Sequence, residues 1–215
     1  MKMDKQARKM EEELRKLALL SDDEIDTSDI SETTDWSLSS RPLLRVEQLE
    51  RRNYDVRAVA NWFIERLNQA NIRITNLSLN KLVYFAIERF IMERCVLLTE
   101  ARVEAWDYGP VVREIYNPFK KRGGSHISEY ICKYSIQERK MVTVTDNFDF
   151  KDLDLFEDLC LSYGLASASR LVTLSHIEGG AWHKVWTKSL VKNPGMVITP
   201  EIIINYAPVN RQING

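Results

Sequence analysis

The sequence predicts a mainly helical α+β fold: a compact helical domain with a small β-hairpin, preceded by an N-terminal helix and an acidic extended segment. Three observations carry this expectation. After residue 54, apolar residues recur at steps of three and four over most of the chain. One stretch, 130–145, is rich instead in β-branched and aromatic residues. Charge also divides the chain: residues 1–50 hold eight Lys/Arg and thirteen Asp/Glu, and the remainder holds 22 and 18. The expected division is therefore an extension over 1–50 and a domain over 51–210.

In the extension, Met3, Met10, Leu14 and Leu17 make one narrow apolar stripe on a helix. Residues 21–36, SDDEIDTSDISETTDW, hold seven acids and no base. Such a segment is expected to be extended or disordered when alone. It reads as a solvated acidic linker or as a mimic of nucleic acid that covers a basic partner surface. In the second case Ile25, Ile30 and Trp36 are its apolar anchors. The phrase is similar to one near the start of BrnA-like antitoxins.

The domain opens with a helix over 54–69, whose Val56, Val59, Ala60, Phe63 and Leu67 share a face, with Asp55 favouring its start. A second helix spans 78–92, with Leu79, Leu82, Val83, Ala86 and Phe90 on one face and Ser78 as the expected N-cap. A third spans 111–119, with Pro110 in its first turn and Gly123-Gly124 as a stop. The strands around QERK form a hairpin. Helices follow near 151–163, 166–177, 181–189 and 199–206, punctuated by Gly164, Gly179-Gly180 and Asn193-Pro194-Gly195.

Composition narrows the function. A net charge of −1 is no overall footprint for nucleic acid. No apolar run approaches a membrane span, and the N-terminus has no apolar signal core. Cys95, Cys132 and Cys160 suggest neither a disulfide framework nor a zinc site, so a reducing cytoplasm is the expected location. His126, His176 and His183 have no metal-ligand spacing. No nucleophile elbow, P-loop or dinucleotide fingerprint is present. The expectation is a protein without catalytic residues, metal or cofactor, which is not an enzyme.

Three phrases give the chain a family resemblance. LSLNKLVYFA runs from Leu77 to Ala86, VEAWDYGPVVREIYNPFKK from Val103 to Lys121, and TLSHIEGGAWHKVW from Thr173 to Trp186. Their order and spacing over 54–206 resemble the Panacea domain of the SocA-like antitoxin family, which has phage-associated members. The tail departs from the family pattern: Ser175 stands for a common threonine, and Gly180-Ala181 for a frequent proline before Trp182.

The resemblance implies an antitoxin that binds a cognate protein toxin encoded next to it. It leaves open an adaptor that delivers the toxin to a ClpXP-type protease. Lys120-Lys121-Arg122 leaves room for a DNA-binding autorepressor, although nucleic acid is not the expected partner. A homodimer and a toxin–antitoxin heterotetramer are both compatible with the stripe over 3–19. Aromatic and arginine residues dominate interface energetics. The candidate partner-binding residues are therefore Trp106, Tyr108, Arg113, Lys81 and Tyr84, with Ile25, Ile30 and Trp36 in the extension. Gly109, Pro110 and Trp182 are read as structural, with Tyr108-Gly109-Pro110 turning a strand into a helix.

Overall fold

The structure is a computed structural model that describes residues 45–188 and 195–208. The helix expected over 3–19, the acidic segment and Ile25, Ile30 and Trp36 lie outside the described residues. The described part contains seven α-helices and three two-stranded sheets.

After a 3-10 turn at Val46–Gln48, strand β1 (Glu50–Arg51) pairs in parallel with β2 (Val96–Leu97). Between them lie α1 (Val56–Gln69) and α2 (Asn76–Arg94). Asp55 caps α1, its side chain accepting from the Arg57 backbone N–H. The cap of α2 is Thr75 rather than Ser78. Thr75 and Ser78 form a reciprocal capping box, in which Ser78 is the third residue of the helix.

Helix α2 is the axis of the domain. Its residues from Ser78 to Glu88 are all buried. It touches α1, β4, α3 (Arg113–Phe119), α4 (Phe150–Tyr163), α5 (Ala168–Ser175) and α7 (Pro200–Tyr206). A helix covered all round has no solvent face to keep polar, so the single stripe expected over 78–92 understates its burial. The core around it is aromatic: Phe156 of α4 packs on Trp62, Phe63, Phe90 and Phe148.

Strands β3 (Val103–Trp106) and β4 (Gly109–Val112) form an antiparallel hairpin over the N-terminal half of α2. Tyr108-Gly109-Pro110 is thus a strand-to-strand turn, and Pro110 lies in β4 rather than in a helix. The partner of Pro110, Ala105, sends its N–H to the Met196 carbonyl on the other edge, at 2.8 Å. No ladder bond is asked of Pro110, so its missing N–H costs nothing there. The helix of this region begins only at Arg113.

The expected hairpin is present as β5 (Cys132–Ser135) and β6 (Lys140–Thr143). Helix α6 (Ala181–Lys188) completes the order, between α5 and α7. No described helix is long and apolar enough to cross a membrane.

Candidate functional site at the Trp106–Pro110 hairpin

The three phrases that carry the resemblance meet at one place, the β3–β4 hairpin. From the first phrase, Lys81 donates to the Pro110 carbonyl at 2.9 Å, and Asn80 Oδ1 accepts from the Val112 N–H at 3.0 Å. Asn80 is fixed in turn by Asn76, whose own amide donates to the Tyr116 carbonyl at 3.0 Å. From the third phrase, Trp182 Nε1 donates to the Trp106 carbonyl at 2.9 Å. The His176 ring stacks flat on Trp182, with centroids 3.6 Å apart.

Gly109 is the point of closest approach. Its φ of +94° is one that residues with a Cβ rarely adopt. A Cβ there would lie 2.5 Å from Ser175 Oγ, 2.9 Å from Lys81 Nζ and 3.0 Å from His176 Nε2. Three polar ends from two helices, Lys81 of α2 and Ser175 and His176 at the C-terminal end of α5, therefore converge on the glycine of the turn. No glycine side chain intervenes, so the hairpin can press against them.

The electrostatics of this hub are unusual. Lys81 is fully buried and has no acidic partner among the described residues. Burial lowers its amine to about 7. His176 is lowered to about 4, by burial and then by the charge of Lys81. Its Nε2 is buried and makes no hydrogen bond with any described residue. On the hairpin's other side Glu104 is buried, and burial pushes its carboxyl up. Hydrogen bonds from Trp106 Nε1 (2.9 Å) and Arg113 Nε (2.8 Å) outweigh this, and the net shift is downward.

The hairpin displays aromatic surface. Tyr108 is 70% exposed. Trp106 is half-buried, edge-on to Tyr116, with the Arg113 guanidinium 5.8 Å from its ring centre. Beside them opens a groove of about 690 Å³, lined by Leu77, Trp106, Tyr108, Val111, Tyr116 and Trp186 among others. That volume lies within the roughly 300–1,000 Å³ of ligand sites. Its charged lining residues are Asp107 and Lys120.

The candidate residues thus separate. Trp106, Tyr108 and Arg113 share one accessible face. Lys81 and Tyr84 do not: both are fully buried, Lys81 under the hairpin and Tyr84 with its hydroxyl 2.6 Å from Glu88. Neither side chain offers surface to a partner. Gly109, Pro110 and Trp182 all belong to the hub. Sequence reasoning missed Asn80, Glu104 and the convergence of Ser175 and His176. The available signal was polar residues interrupting apolar runs inside the three phrases.

The remaining histidines stand apart from the hub: His183 Nδ1 accepts from the Gly179 N–H at 3.2 Å, and His126 lies against the Ile74 backbone. Among the described residues no group of three or more His, Cys, Asp or Glu is placed to hold a metal ion.

Comparison with known proteins agrees with the three phrases. The family model described as antitoxin SocA-like, Panacea domain matches residues 79–183, which span the hub from just beside Lys81 to just beyond Trp182. The Antitoxin SocA of Caulobacter vibrioides (strain NA1000 / CB15N) is 35% identical over 131 residues, covering 61% of this chain and 70% of that protein. No solved structure matches. The family model and the relative together place the chain in the SocA-like antitoxin family of Panacea-domain proteins, to which it belongs.

Proposed function

We propose that the chain is the antitoxin of a toxin–antitoxin pair, and that it silences a cognate protein toxin in the cytoplasm by direct contact through the hairpin face. One observation supports this reading above the others. The buried groups of the hub converge on the turn that holds Tyr108, whose side chain stays 70% exposed. Preorganised aromatic residues beside an apolar groove are what binding hot spots require. Arg113 is held beside Trp106 by Glu104, which adds a fixed guanidinium to the same face. The family supports the antitoxin role; the binding face is our reading of the geometry.

Co-expression with the product of the neighbouring gene tests it. The chain is expected to rescue growth and to co-purify with that product in a fixed ratio, which light scattering would assign to a heterodimer or a heterotetramer. Failure of both rescue and co-purification would end the proposal. An adaptor for a ClpXP-type protease would lower the amount of toxin rather than its activity, and its rescue would vanish in cells lacking ClpXP. Promoter binding that weakens steeply with salt would instead indicate an autorepressor.

A further inference from the structure

We infer that the β5–β6 arm is a second docking surface, which takes an extended acidic strand of a protein partner by adding it to a free edge. The inference rests on the reading that the chain binds a protein, but on residues distant in sequence from the Trp106–Pro110 hairpin.

A two-stranded hairpin alone is marginal in water. Asn61 holds this one at its base. Asn61 of α1 is buried, and its amide donates to the Ile131 carbonyl at 2.9 Å and the Val144 carbonyl at 2.8 Å. Its oxygen accepts from the Ile131 N–H at 2.7 Å. Beyond that point the arm emerges. Tyr134 is 61% exposed, Met141 60% and Ile136 85%. Tyr134 and Met141 face each other across the ladder, so their side chains form one continuous patch.

The register shows where the backbone is unsatisfied. Val144 donates to the Ile131 carbonyl, so 131 and 144 form a hydrogen-bonded pair. Bonded and non-bonded pairs alternate along an antiparallel ladder. The bonded pairs are then 133 with 142 and 135 with 140. The non-bonded pairs, Cys132 with Thr143 and Tyr134 with Met141, turn their N–H and C=O groups outward. No backbone hydrogen bond joins these outward groups to any other described residue. An open edge beside an exposed apolar patch is the arrangement that strand addition uses.

Charge selects the occupant. Residues 132–143 contain Lys133, Arg139 and Lys140 against Glu138 alone. Lys140 is paired with Glu138 at 2.9 Å, and the charge of Lys133 acts on Asp55 at the start of α1. Arg139 is left without an ion pair among the described residues, and the arm with an excess of positive charge. Two copies of this arm would bring like charges together, which is unfavourable across a ladder. A strand carrying Asp or Glu would meet opposite charge instead.

Hydrogen exchange on the complex with the toxin tests the inference. In the complex, the amides of Cys132 and Tyr134, or those of Met141 and Thr143, are expected to slow at least tenfold while the other edge stays fast. Cys132→Pro and Thr143→Pro each remove one outward donor, and one of the two should weaken binding with the fold intact. The double charge reversal Lys133→Glu with Arg139→Glu should weaken binding at least tenfold at low salt. A complex that forms while both edges stay fast overturns the inference and leaves the proposed function standing. Slowing that grows with concentration in the chain alone, or charge reversal without effect, overturns it as well. Absence of any complex instead counts against the proposed function.

Discussion

Lys81 Nζ lies 2.9 Å from the Pro110 carbonyl oxygen, beneath the hairpin, with no acidic partner among the described residues. Its amine is lowered to about 7 by burial, whereas an unfolded chain holds its proton to about 10.5. Between those values the unfolded state binds the extra proton, so stability rises with pH. Below about 7 both states are charged, and the full cost of the buried ammonium is present. We expect the melting temperature of the wild type, relative to Lys81→Met, to climb from pH 7 to pH 10. A constant difference across that range would mean that Lys81 is not desolvated as described.

Gly109→Ala should destabilise the domain for two separable reasons. The φ of +94° strains any residue with a Cβ, at a cost of about 1–3 kcal/mol. The new methyl would also meet Ser175 Oγ at 2.5 Å. In urea unfolding, adding Ser175→Gly should recover the share of the steric part owed to Ser175 and leave the backbone part together with the close approach to Lys81 Nζ and His176 Nε2. Full recovery would show that the turn's conformation costs nothing, and no recovery would show that Ser175 does not press on the glycine.

How much of this hub was legible in the sequence follows from what each residue depends on. The helices over 54–69 and 151–163 follow from local apolar periodicity, and the structure returns them as Val56–Gln69 and Phe150–Tyr163. The 130–145 hairpin follows from composition. Pro110 misled, because a proline before an apolar run suits the first turn of a helix as well as a non-bonded strand position. Only the bond from Ala105 to Met196, 91 residues away, decides between them. Lys81 and Tyr84 misled for a similar reason. Their burial comes from elements laid on α2 by distant parts of the chain, the β3–β4 hairpin over Lys81 among them, and no local pattern contains that.

Tyr108→Ala should separate binding from folding. The side chain is 70% exposed and lies at the turn between β3 and β4, so its removal should leave the melting temperature nearly unchanged. A hot-spot aromatic costs about 2 kcal/mol or more when truncated, so affinity for the toxin should fall roughly thirtyfold. Trp106→Ala should lower both affinity and stability, because Trp106 also bonds Glu104 and packs on Tyr116. Equal affinity of Tyr108→Ala and wild type, measured by calorimetry, would remove the hairpin tip from the interface.

Asn61 offers the sharpest test of a single buried side chain. It occupies the place of a missing rung at the base of the β5–β6 arm, satisfying two carbonyls and one N–H. Asn61→Leu leaves the Ile131 N–H and the Val144 carbonyl without their Asn61 partner, while the Ile131 carbonyl keeps the Val144 N–H, and should cost about 3 kcal/mol in urea unfolding. Asn61→Asp keeps the acceptor for Ile131 N–H but points a carboxylate at two carbonyl oxygens. That charge is unfavourable, so the folded-state pKa of the new acid should rise above its unfolded value. Stability contributed by the protonated form is then present at low pH and lost as pH rises through the folded pKa. Relative to wild type at the same pH, Asn61→Asp should therefore be less destabilised at pH 4 than at pH 7.5, while Asn61→Leu should show no such difference. If both variants follow the wild type at both values, the amide does not hold the arm.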